Sequence, residues 1–205
     1  MFCRTVIMKL WMKWYQELAT ILIMNNHLWI GVVNLVIKGV PLIELERRLK
    51  PRGYSEEGFI GNDEDLLQLV HGDWGFLEQK RVSHKQIALA LEKAMETGAL
   101  PNPNYRLMYP GISTGGCQPC PWDCRGVVGN GMHFIIRKDK EREVMKIMSY
   151  LDGKRSMDYD GRFNDSVAVF TELHPHLYRE HYFFEGRMTP FRTDPQLLID
   201  AFCLN

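Results

Sequence analysis

Between Gly98 and Gly131 the chain reads "GALPNPNYRLMYPGISTGGCQPCPWDCRGVVGNG". Five of its ten prolines and seven of its seventeen glycines fall in that interval. Proline removes a backbone donor and glycine raises the entropy lost on ordering, so no helix crosses such a stretch. The sequence therefore predicts loop, knuckle and turn here, with "GNG" at Gly129–Gly131 as a turn signal. Helices are expected before it and strands after it. The expected class is α+β: a helical N-terminal half, a Cys-bearing loop, a small antiparallel β element and two short C-terminal helices. Residues 1–100 read as a mainly helical region. Residues 101–205 read as the Cys loop, β element and C-terminal helices, forming one compact unit with the first.

Local signals divide the two halves further. Pro41 fits the first turn of a helix ending at Leu49. Asp63 is expected to cap a helix through Leu66 and Val70. Ser83 with Gln86 spells a capping box, with Ile87, Leu91 and Ala94 on the apolar face up to Gly98. That region resembles the entry to a DNA-reading helix, but the helix before it is acidic, which favours a structural helix pair. After the loop, "MHFIIRK" and "SVAVF" read as strands, and "EREVMKIMSYL" fits either a helix or a strand. Thr171 is expected to start a helix ending near Gly186, and Asp194-Pro195 to start the last one.

Charge narrows the partners. With 25 basic and 25 acidic side chains the formal net charge is zero, which removes the global attraction that nucleic acid or an anionic membrane exerts. A protein partner is compatible with this balance. Leu18–Ile37 lacks Lys, Arg, Asp and Glu and is long enough to span a bilayer, yet its three Asn and one His argue for a buried segment. Met24 is a candidate start, which would make residues 1–23 an extension. Clustered cysteines point to a reducing, cytoplasmic setting.

Three of the five cysteines, Cys117, Cys120 and Cys124, stand within eight residues. Thiolates in a C-x2-C relation point into one knuckle, and Gly115, Gly116, Pro119 and Pro121 suit a stiff turn. Zinc is the expected cation, held by Cys117, Cys120 and Cys124 with His133 as the fourth donor and His174 and His176 as distant ones. Cys117-Gln-Pro-Cys120 also has the C-x-P-C form of thiol redox sites, although no strand is expected to lead into it. An iron–sulfur centre is a further reading of three cysteines.

"LHPHLYREHYFFEG" places His174, His176 and His181 on one short helix with Glu180. Their spacings of two, five and seven do not match the four-residue step of a metalloprotease helix. An uncharacterised enzyme using His176, His181 and Glu180 as acid–base groups is the alternative to zinc binding.

The segment "LHPHLYREHYFFEGRMTPFRTDPQLLIDAF" resembles the end of an uncharacterised bacterial protein family. That family carries P-H-L-x-R-E-H-x-F-F-E-G, T-P-[FY]-R and D-P in series. "LWIGVVNLVIKGVPLIELERRLKPRGYSEEGF" is similar to its N-terminal part. The resemblance implies that Pro175-His176-Leu177, Arg179-Glu180-His181, Phe184-Glu185-Gly186 and Thr189-Pro190 are shared features. It carries no catalytic role.

Overall fold

The computed structural model describes residues 36–37, 39–55, 58–109, 113–148 and 160–204. These belong to one unit, 35–205. The expectation for Leu18–Ile37 falls outside the described residues apart from Val36–Ile37. No described helix is long and apolar enough to cross a membrane.

A two-residue hairpin, β1 (Val36–Ile37) and β2 (Val40–Pro41), leads into α1 (Leu42–Leu49), which buries Leu45 and Leu49. Helix α2 (Leu66–Lys80) is capped by Asp65, whose carboxylate accepts the Gln68 N–H. Asp63 was the expected cap. Asp65 prevails because it directly precedes the first helical residue, where its oxygen reaches the N3 donor. Helix α3 (His84–Thr97) carries the Ser83/Gln86 capping box and ends on Gly98 at φ 67°, as the sequence predicts.

Three strands follow in the order β3 (Tyr105–Met108), β6 (His133–Arg137), β7 (Val167–Phe170), all antiparallel. Both faces of this sheet are covered. Ile135, Ala168 and Phe170 join the main core, which also holds Leu45, Leu91, Leu177 and Leu198. Phe134, Ile136, Val167 and Val169 pack on the other side with Ile147, Phe163 and Phe191. Two-sided burial explains why β7 is apolar at every position instead of alternating. Between β6 and β7, α4 (Glu141–Met148) makes "EREVMKIM" a helix; the rest of that segment lies outside the described residues.

The Gly/Pro-dense interval is more regular than its composition predicts. Strands β4 (Ser113–Pro119) and β5 (Val128–Gly131) form an antiparallel ribbon with an irregularity between Ser113 and Gln118. Close approach is the reason glycine is used. A Cβ on Gly129 would lie 2.3 Å from Thr171 Oγ1 and 2.9 Å from Leu173 Cβ, so only a bare backbone lets β5 rest on the next helix.

That helix, α5 (Leu173–His176), is one turn long and continues as a π-helical turn, Leu177–His181. The Tyr182 N–H closes it on the Leu177 carbonyl, and Tyr182 ends it at φ 56°. Thr171 Oγ1 accepts the Leu173 N–H at 3.3 Å. Helix α3 packs along both α5 and the π turn. The last helix, α6 (Pro195–Phe202), starts on Asp194, whose carboxylate accepts the Gln196 and Leu197 N–H groups. It packs against α3 and β7.

His84, at the start of α3, is 4% exposed and lies among the rings of Trp74, Tyr182 and Phe184. Its Nε2 has no hydrogen-bond partner among the described residues. Burial pushes its pKa down to about 4. The folded state therefore holds His84 neutral, while the unfolded chain protonates it near pH 6.5. Stability is full above pH 6.5 and falls as the pH drops toward 4, by up to about 3 kcal/mol from this group. Urea unfolding in the presence of a chelator at pH 7 and pH 4.5 should show that His84→Phe loses less stability than the wild type. Equal losses would mean that His84 does not titrate in this way.

Candidate metal centre

The loop that leaves β4 carries the first two donors. The Asp123 N–H donates to the Cys120 carbonyl at 3.0 Å and the Val127 N–H to the Cys124 carbonyl at 3.2 Å. Asp123 (φ 58°) and Gly126 (φ 72°) supply the left-handed residues these turns need. The result is a knuckle in which the Trp122 and Cys124 backbone N–H groups face the Cys120 sulfur. Cys120 is 1% exposed and Cys124 is partly buried; both are free thiols.

The other two donors come from the π turn. In an α-helix, residues five apart point about 140° away from each other. The i→i+5 register of a π turn brings them onto one side. His176 and His181 thus meet with their Nε2 atoms 3.1 Å apart. His181 Nε2 is also 3.3 Å from Cys120 Sγ and 3.4 Å from Cys124 Sγ. All four donor atoms lie within 4.8 Å of one another.

This crowding has a chemical consequence. One imidazole nitrogen has either one proton to give or one lone pair, so it cannot make three hydrogen bonds at once. A cation shared by the four donors satisfies all of them. Such a group could hold a metal ion.

Trp122 fixes the histidine plane. Its ring stacks on His181 with centroids 4.1 Å apart and planes 9° from parallel. The same five-residue loop therefore supplies two sulfurs and the plate that orients a nitrogen. Burial, with a smaller push from the neighbouring Cys124, moves the Cys120 thiol up to about 11. Burial also lowers the His176 pKa, which keeps that imidazole neutral and its lone pair free to ligate at neutral pH.

Of the residues expected as ligands, Cys120 and Cys124 belong to the group. Cys117 is on β4, and its side chain lies outside the described residues. His133 is on β6, stacked on Phe170, with Nε2 3.7 Å from Glu172 Oε1. It is not among the four clustered donors. His174 is fully buried, accepts the Thr171 N–H at Nδ1 and lies 3.3 Å from Glu185. Glu180 is turned to solvent and pairs with Arg179. His176, expected as an acid–base group and as a distant donor, and His181, expected as an acid–base group alone, are the nitrogen members of the cluster. The four-residue α-helical step hid their pairing, because a spacing of five has meaning only in a π turn. A strand does lead into the knuckle, contrary to expectation. The motif, however, opens no helix at Cys117, since residues 113–119 are extended.

Compared with known protein families, with curated proteins and with solved structures, the chain matches none.

Proposed function

We infer that this is a small cytoplasmic protein holding a structural zinc ion, which ties the Cys120–Cys124 knuckle to the His176–His181 turn and so organises an interaction surface. The observation that carries this reading is His181 Nε2 lying 3.3, 3.4 and 3.1 Å from the other three donors. A tetrahedral zinc has bonds of about 2.0 Å to nitrogen and about 2.3 Å to sulfur, giving edges of about 3.3 Å (N–N) and about 3.5 Å (N–S). The distances fall close to those edges. Two sulfurs and two nitrogens favour zinc over the hard cations, which prefer oxygen. Four protein donors leave no open position, which is the mark of a structural centre.

The alternative is an enzyme using His176, His181 and Glu180. It draws on the partial exposure of Cys124 and His176, which leaves one edge of the centre near solvent. It would need the cation to release a ligand before substrate could bind. The third reading, thiol exchange at Cys117 and Cys120, requires Cys120 to leave the metal.

Elemental analysis of protein purified without chelator is expected to find about one zinc per chain, with two thiols becoming reactive only after chelation. His176→Ala should lower the zinc content sharply. Metal-free protein with thiols that react at once would remove the proposal. Loss of an activity in Glu180→Gln with zinc retained would favour the enzyme.

A further inference from the structure

Only Pro121, Trp122 and Asp123 stand between the two thiolates, and each is held by a group outside the loop. Trp122 lies on His181. The Pro121 carbonyl accepts Arg48 Nη1 at 2.9 Å. Asp123 accepts the same Nη1 at 2.5 Å through Oδ2 and the Tyr54 hydroxyl at 2.5 Å through Oδ1.

Arg48 is itself aimed. Its Nε donates to Glu44 Oε1 at 2.8 Å, one turn earlier on α1, and its guanidinium sits 5.2 Å from the Tyr54 ring centre. The Arg48 side chain is 14% exposed. Asp123 takes the left-handed conformation that Asp and Asn adopt more readily than most residues.

We propose that Arg48, Tyr54 and Asp123 are positioning residues of the metal centre, holding the knuckle in its ligating shape so that docking of α1 and affinity for the cation are coupled. The inference rests on the metal reading above. A loop free to move would lose backbone entropy at every residue on being ordered by the cation. A loop already tied at all three intervening residues loses much less. An isolated surface ion pair contributes little, and Asp123 is 57% exposed. The effect here comes from a mostly buried Arg48 that bonds two separate points of the loop. Outer groups that orient ligands typically change metal affinity by about 10–100-fold, and the exposure of Asp123 places this case at the lower end.

Zinc affinity of the full chain, measured by competition with a chromophoric chelator at pH 7, tests it. Asp123→Asn keeps the backbone conformation and removes the charge; it is expected to bind zinc about tenfold more weakly. Tyr54→Phe should weaken binding a few-fold. The zinc-free unfolding midpoint of both variants should equal that of the wild type. Coupling is reciprocal, so zinc should slow amide exchange in Leu42–Leu49 in the wild type and less in Asp123→Asn. Unchanged affinity in Asp123→Asn overturns the inference while leaving the metal reading intact. A zinc-free variant destabilised in proportion to its lost affinity overturns it as well, by making the contact merely structural. A wild-type chain that takes up no zinc removes both.

Discussion

Chelation is expected to lower the thermal unfolding midpoint of the wild-type chain by roughly 10 °C and to leave Cys124→Ser unmoved. A cation that binds only the folded state stabilises it by about 3–4 kcal/mol when free metal stands two to three orders of magnitude above Kd. For a unit of this size each kcal/mol moves the midpoint by about 2–4 °C. The four donors come from two segments far apart in sequence, one leaving β4 and one at the π turn. Unfolding disperses them, so the binding free energy becomes folding free energy. Cys124 is the apt site to change because it is partly exposed, and serine there leaves the main core intact. Scanning calorimetry with and without chelator reads the difference. Equal chelator shifts in wild type and Cys124→Ser would place the stabilising cation elsewhere.

Arg192→Met is expected to destabilise the chain by about 3–5 kcal/mol, with or without metal. Arg192 is 2% exposed and Asp73 is 4% exposed. The guanidinium meets the carboxylate through two hydrogen bonds, 2.7 and 2.6 Å, and donates a third to the Glu185 carbonyl at 2.7 Å. Removing one partner strands a buried charge, and that is the costly event rather than the loss of attraction itself. Adding Asp73→Leu to Arg192→Met should therefore recover part of the loss. Recovery stays incomplete because the Glu185 carbonyl keeps no guanidinium donor. Urea unfolding of the three variants measures this. A single variant within about 1 kcal/mol of wild type would show that the pair carries no such weight.

That ion pair also marks a limit of reading along the chain. Asp194 stands two residues from Arg192, and Glu180 stands next to Arg179. Arg192 instead spans 119 residues to Asp73, while Arg179 takes Glu92 and Glu180. Asp194 is occupied as the cap of α6. One carboxylate cannot face both its own helix terminus and a guanidinium buried elsewhere.

What the sequence determined by itself is the set of features whose physics closes within about four residues. These are the Ser83/Gln86 capping box, Gly98 as a left-handed terminus, the Asp194-Pro195 start and the apolar runs that become β6 and β7. The α+β class followed from where those signals lie. Cys120 and Cys124 were legible as sulfur candidates as well, from the clustering of the cysteines, although the C-x2-C spacing pointed to Cys117 with Cys120. Tertiary structure decided the rest. Gly129 could be seen as a strand residue only once Thr171 and Leu173 stood against it. The nitrogen donors depend on a π turn, held between α3 and the knuckle, that no α-helical period encodes. Local backbone preference sets caps and turns over a few residues. A cation site joining two remote segments exists only after the core has packed them together.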